Sequence, residues 1–146
     1  MKRFSPWFSR AVLLVATVVL ALIGRKFITD PVGAAAASTM TLGSPLAITN
    51  MRASFGAFPL GCAIFTLTCL LLAQRRTTGL FFVTTIIGTA LIVRLYGVMT
   101  DGTFAASIPV LIAETVLILL SGVALYLERA VTSPEVDEKR RGSRAF

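Results

Sequence analysis

Three ionisable residues stand in or at the edge of long apolar runs, and they are where chemistry could happen: Arg52, Arg94 and Glu114. On insertion scales a charge at the centre of a membrane helix costs roughly 2.5–3.5 kcal/mol, so such residues persist where they are paired or serve a ligand, ion or proton. An arginine and a carboxylate can neutralise each other through two parallel hydrogen bonds. An unpaired Glu114 would sit neutral, because burial disfavours the charged form, and could then act as a general acid or base. Other chemistries have little to work with. There is no histidine, which removes the commonest metal ligand and the side chain best suited to proton transfer at neutral pH. No metal or cofactor is therefore expected. Cys62 and Cys69 lie seven apart in one apolar run. On a helix they share a face about 10 Å apart, too far for a mutual disulfide, and read as small packing residues. Serines and threonines are plentiful, yet no base accompanies them in a known nucleophilic pattern.

The elements that must position these residues are membrane-spanning helices. Of the 146 residues 55% are apolar and only 14% charged, and the mean hydropathy is +0.83. A soluble domain usually carries about 25% charged residues to face water. A helix needs about 20 residues to cross a bilayer. The uncharged run 53–74 is long enough by itself, whereas the run 11–24 between Arg10 and Arg25 is short and reaches span length only when extended to 7–28. Four helices are expected, at about 7–28, 46–73, 79–99 and 104–127. Arg10, Arg25 and Lys26 would snorkel at the ends of the first, anchored by Phe4, Trp7 and Phe8. A cleaved signal peptide is the rival reading of that first run. Against it, Arg25, Lys26 and Asp30 separate the apolar core from the small-residue stretch at 33–38. Residues 29–45 hold Pro31, Gly33, Gly43 and Pro45 with several hydroxyls, and read as an outer loop rather than a fifth span. Gln74-Arg75-Arg76 end the second helix and Arg75–Gly79 reverse the chain. Asp101-Gly102 form the next turn, and Tyr126 sits at the last interface. Residues 128–146 are polar, include Pro134 and lack apolar periodicity, so they read as a disordered tail. The fold class is all-α, a polytopic membrane protein built as an antiparallel four-helix bundle.

The net charge of +7 would suit nucleic acid were it spread over a groove with aromatic residues, which it is not. Ten of the fourteen basic residues flank the spans on one side: Lys2, Arg3, Arg10, Arg75, Arg76, Arg129, Lys139, Arg140, Arg141 and Arg144. Arg25, Lys26, Arg52 and Arg94 fall on the other. Basic residues are retained in the cytoplasm, so both ends are expected there, with the chain in the inner membrane of a cell. The short segment 1–6 and the tail would both be cytoplasmic, and the partner implied throughout is the lipid bilayer.

Helical geometry groups the polar residues. Ser107, Glu114 and Ser121 recur every seven residues and share one face of the last helix, a stripe that should point into the bundle. Arg52, Gly56, Pro59, Ala63 and Thr66 share a face of the second helix. Pro59 cannot donate to the carbonyl of Phe55, which would leave that oxygen near the arginine at a kink. Ala53, Ala57 and Gly61 stand four apart, as small residues do where another helix approaches closely. Glu114 lies roughly 15 Å inside the end of its helix and Arg94 roughly 8 Å inside its own. The expected cluster pairs Glu114 with Arg52, while Arg94, on a face with Ile87, Ala90 and Leu91, either joins it or snorkels outward.

Asp30-Pro31, Asn50-x-Arg52-Ala53-x-Phe55-Gly56, Gly88, Arg94, Asp101-Gly102 and Glu114 together resemble a bacterial family of four-helix membrane proteins defined by domain of unknown function 4345. The resemblance spans roughly residues 10–127. In that pattern an acidic residue stands two before the arginine, where this chain has Asn50, and an aromatic–Gly–Gly run is here Phe55-Gly56-Ala57. The first departure removes one carboxylate partner for Arg52 and shifts that role toward Glu114 or Asp101. The resemblance implies a four-helix membrane architecture and brings no reaction with it.

Three functions fit these residues. The leading one is a small non-enzymatic accessory or binding subunit, which would require a membrane-protein partner or a ligand. The second is a small transporter or lipid-handling protein. Four helices make a narrow path, so transport would call for a homodimer. The third is a membrane enzyme using Glu114 as acid or base with Asp101 assisting, for which one carboxyl is thin machinery.

Overall fold

The computed structural model describes the backbone of residues 5–142. Helix α1 is Ser5–Thr29, followed by two short helices, α2 (Pro31–Ala36) and α3 (Pro45–Met51). A π-helical turn, Arg52–Ala57, leads straight into α4 (Phe58–Leu71). A 3-10 turn, Ala73–Arg75, connects α4 to α5 (Arg76–Asp101), and α6 is Phe104–Gly142. Four stretches are long and apolar enough to cross a membrane: Trp7–Thr29, Pro45–Leu71, Ala73–Asp101 and Phe104–Arg129. The protein is thus all-α with four spans, and no strand occurs among the described residues. At most 28% of the most apolar stretch of any span is buried within the chain. Ile92 and Leu119 present 69% and 61% of their surface outward. Water would penalise that much exposed hydrocarbon, whereas acyl chains do not.

Three segments depart from the sequence reading. Residues 29–45 are not one loop, because α2 forms within them. Its N-cap Asp30 accepts a hydrogen bond from the Gly33 N–H at 2.9 Å, and Ser44 caps α3 in the same way from Ala47 at 3.2 Å. Pro31 and Pro45 occupy the first turns of these helices, where the missing N–H is an orphan in any case. Prolines that signalled a helix-poor loop are therefore helix starts. The reversal after the second span is also tighter than Arg75–Gly79. Leu72 alone is extended and α5 is helical from Arg76 onward. Finally, α6 does not end near Leu127 but continues past Pro134 to Gly142, through a sequence rich in Glu, Lys and Arg, all good helix formers. The outermost parts of the two terminal segments, 1–4 and 143–146, lie outside the described residues.

α1 is the central element. It packs on α4 and the π turn, on α6 and on α5, and α5 packs closely on α6. α4 meets α5 but makes little contact with α6. The tight core is Val12, Leu13, Ala16, Leu80, Val83 and Ala124, nearer the end of the bundle that holds Arg75 and Arg76. Here that end is called the basic end. The opposite one, carrying α2, α3 and Gly102, is the loop end. Gly102 closes α5 with φ at 67°, a left-handed conformation that glycine adopts without strain.

Candidate functional site: an ion pair at the wall of an apolar cavity

Arg94 and Glu114 meet side on. The Arg94 Nε donates to Glu114 Oε2 at 3.0 Å and its Nη2 donates to Oε1 at 2.9 Å, a bidentate fork that gives geometric as well as electrostatic specificity. The hairpin register explains the meeting. Thr84 of α5 donates to Ser121 of α6 at 3.0 Å, and Gly88 faces Ile118. Two turns further along, the same antiparallel register brings Arg94 to Glu114. Glu114 is the better shielded partner, with 14% of its side chain exposed against 38% for Arg94.

The pair lines a cavity of about 280 Å³ between α1, α5 and α6. Its wall is otherwise apolar: Val19, Leu20 and Ile23 from α1, Ile86 from α5, and Val110 and Leu117 from α6 are representative. Among the described residues, Arg94 and Glu114 supply all the polar side chains of this wall.

The expected stripe on the last helix holds together. Ser121 is fully buried, its hydroxyl donating to the Ile118 carbonyl at 3.2 Å, while Glu114 and Ser107 are half-buried on the same face. Arg52 does not belong to this group. It is exposed on the π turn, and its Nε donates to the carbonyl of Ile28 at 3.2 Å. That oxygen lies in the last turn of α1, whose carbonyls lack intrahelical partners and favour a cation. The pairing of Arg52 with Glu114 is therefore replaced by Arg94 with Glu114. The reason is topological: the helices carrying Arg52 and Glu114 have little mutual contact. Nor is the Phe55 carbonyl the oxygen that Arg52 meets. Asn50 is exposed on α3. Asp101 is exposed at the end of α5, accepting from the Thr100 hydroxyl at 3.2 Å. Neither joins the pair.

Of the residues expected to kink or pack, Gly56 is buried against α1. A Cβ on Gly24 would fall 2.8 Å from the Gly56 carbonyl and 2.9 Å from the Leu60 nitrogen. Phe27 and Phe55 flank this crossing with ring centroids 5.5 Å apart. Pro59 lies in the first turn of α4, directly after the π turn. π turns are a common source of kinks and recur at functional sites. Gly61 has nothing within 4 Å of its absent Cβ. With Ala53 and Ala57 it lines an open groove beside Phe58, Phe65 and Phe82, so this stripe is not a helix contact within the chain.

Several polar contacts carry little sequence signal. The Thr17 hydroxyl donates to Thr66 at 2.9 Å, and Thr66 donates on to backbone carbonyls of its own helix. At the basic end the buried Ser9 donates to a Glu128 carboxylate oxygen at 2.7 Å, tying α1 to α6 through a residue assigned to the tail. Arg76 is buried there too, its Nε without a hydrogen-bond partner. Only the fold says which partner each of these residues finds. Among the described residues no group of three His, Cys, Asp or Glu side chains could hold a metal ion, and both cysteines are free and buried.

A family model described as a domain of unknown function, DUF4345, matches residues 8–125, and the chain belongs to that family. No curated protein and no solved structure matches it.

Proposed function

We propose that this small four-helix membrane protein is a non-enzymatic binding subunit, holding an apolar molecule in the cavity between α1, α5 and α6 with its polar end at Arg94 and Glu114. The observation that carries this reading is the composition of the cavity wall: aliphatic and aromatic side chains throughout, and one charged pair of zero net charge. Small-molecule sites commonly combine an apolar lining with a few placed polar groups that fix orientation. Catalysis is disfavoured because both Glu114 oxygens are engaged by Arg94, and a carboxylate so held is poorly placed to take a proton from a substrate.

The orientation belongs to the same proposal. Arg10, Arg75, Arg76 and Arg129 lie toward one end of the bundle, so that end faces the cytoplasm of the cell carrying the protein in its inner membrane.

Two measurements test the reading. Purified protein, washed in mild detergent and extracted, should release a small apolar molecule near one per chain. Ala113→Phe, which narrows the cavity and keeps both charged residues, should lose it while folding normally. Equal retention by the variant, or nothing retained by the wild type in several lipids, would overturn the binding role. Reporter fusions at each terminus should both report the cytoplasm, and an exported C-terminus would reverse the assignment.

A further inference from the structure

We infer that the molecule held in the α1, α5 and α6 cavity carries an uncharged hydrogen-bond acceptor, a carbonyl oxygen, at the head of its apolar body. The inference rests on the binding role proposed above and adds the chemical class of the ligand. A guanidinium has five N–H donors. The Glu114 carboxylate engages one on Nε and one on Nη2, which leaves three on a side chain still 38% exposed. Among the described residues, the wall beside those donors offers no side-chain acceptor besides Glu114. Donors facing hydrocarbon without a partner are penalised, so an acceptor is favoured at this spot.

Charge decides what kind of acceptor fits. Arg94 and Glu114 already sum to zero, so an entering carboxylate or phosphate would bring an uncompensated negative charge beside Glu114 into an apolar cavity. Burial of an unpaired charge is far more costly than burial of a satisfied dipole. A cationic head would meet Arg94 at close range and be repelled in the same way. A neutral carbonyl accepts the remaining N–H groups and adds no charge. The volume of about 280 Å³ sits at the low end for ligand sites, so it encloses a head and the first part of a chain. A longer tail would leave between the helices into the bilayer. Two sources share this chemistry: the ester carbonyl of a bilayer lipid, and a free lipophilic ketone or quinone.

The test uses the full chain in nanodiscs of ether-linked phosphatidylcholine, which has no acyl ester carbonyl, and four probes of closely similar tail length. These are a decyl benzoquinone, decylbenzene, decanoate and decylammonium, with bound amounts read by mass spectrometry after washing. The quinone should bind at least about tenfold more tightly than decylbenzene, the worth of one hydrogen bond to a charged donor, and more tightly than either ion. Ala113→Phe should lose all binding. In Arg94→Gln/Glu114→Gln, which is neutral throughout, the preference for quinone should shrink several-fold. Repeating the quinone titration in ester-linked lipid identifies the source. Competition would assign the site to a bilayer lipid and undiminished binding to a free molecule, and both keep the carbonyl. Decylbenzene or decanoate binding as well as the quinone would overturn the assigned class and leave the binding role intact. No probe bound and nothing retained in any lipid would remove the binding role itself.

Discussion

Around Leu13, Leu80 and Ala124 the helices meet through aliphatic side chains in full contact, with hydroxyl pairs such as Thr17–Thr66 and Thr84–Ser121 bridging them. Directly beyond Ala16 and Val83 the same helices enclose a cavity, and about three turns further along α5 a charged pair lies in its wall. Lipid is as apolar as leucine, so helices in a bilayer gain little from hiding hydrocarbon and associate through close packing and polar contacts. In the basic half α5 and α6 are joined by shape and by hydroxyl bonding. In the loop half α1 still packs closely on the π turn at Gly24 and Gly56, but α5 and α6 are joined by one bidentate ion pair with room beside it. Under the proposed binding role, the α5–α6 contact beside the cavity is the one that would yield to a ligand while the core at the basic end stays closed.

The predictions follow from that division. The largest effect belongs to the loop half: Arg94→Gln leaves Glu114 without its partner and should cost about 2 to 3 kcal/mol of stability, as for a shielded charge stripped of its counterion. Arg52→Gln removes one exposed bond to a carbonyl and should cost less than about 1 kcal/mol. Unfolding of both variants in bicelles compares them, and equal losses would erase the distinction between the two arginines. Gly24→Ala comes next at about 2 kcal/mol, because its Cβ would press on the backbone at Gly56 and Leu60, where no side chain can swing aside. Gly61→Ala should have the opposite sign and stabilise by up to about 1 kcal/mol, since space is open there and alanine favours a helix. A destabilising result would mean that this face is occupied in the membrane. Smallest is Thr17→Val, which removes one buried hydroxyl bond worth about 0.6 kcal/mol in comparable bundles. A loss above about 2 kcal/mol would make the basic half as dependent on single bonds as the loop half.

How far the sequence carried the reading differs from residue to residue. The four spans were legible because bilayer thickness dictates run length, and the charges bounding each run are hard to hide. The inward face of the last helix was legible from the seven-residue spacing of Ser107, Glu114 and Ser121. The partner of Glu114 was not read correctly, although a signal existed. Helices joined by the short turn at Gly102 must be antiparallel neighbours, which favours Arg94 over an arginine on a helix with no such link to α6. Gly24 carries no such signal, because one glycine inside an apolar run looks like any other until its crossing partner, Gly56, is known. The cavity left no mark in the sequence at all. It arises where the helices diverge, a property of the assembled backbone rather than of any window of residues.

The most direct test of the account is a pair of double-mutant cycles measured on unfolding in bicelles, one for Arg94→Gln with Glu114→Gln and one for Arg52→Gln with Glu114→Gln. The first should give a coupling above about 1.5 kcal/mol, and the second should be additive within about 0.5 kcal/mol, as for separated sites. Coupling that appeared only between Arg52 and Glu114 would contradict it.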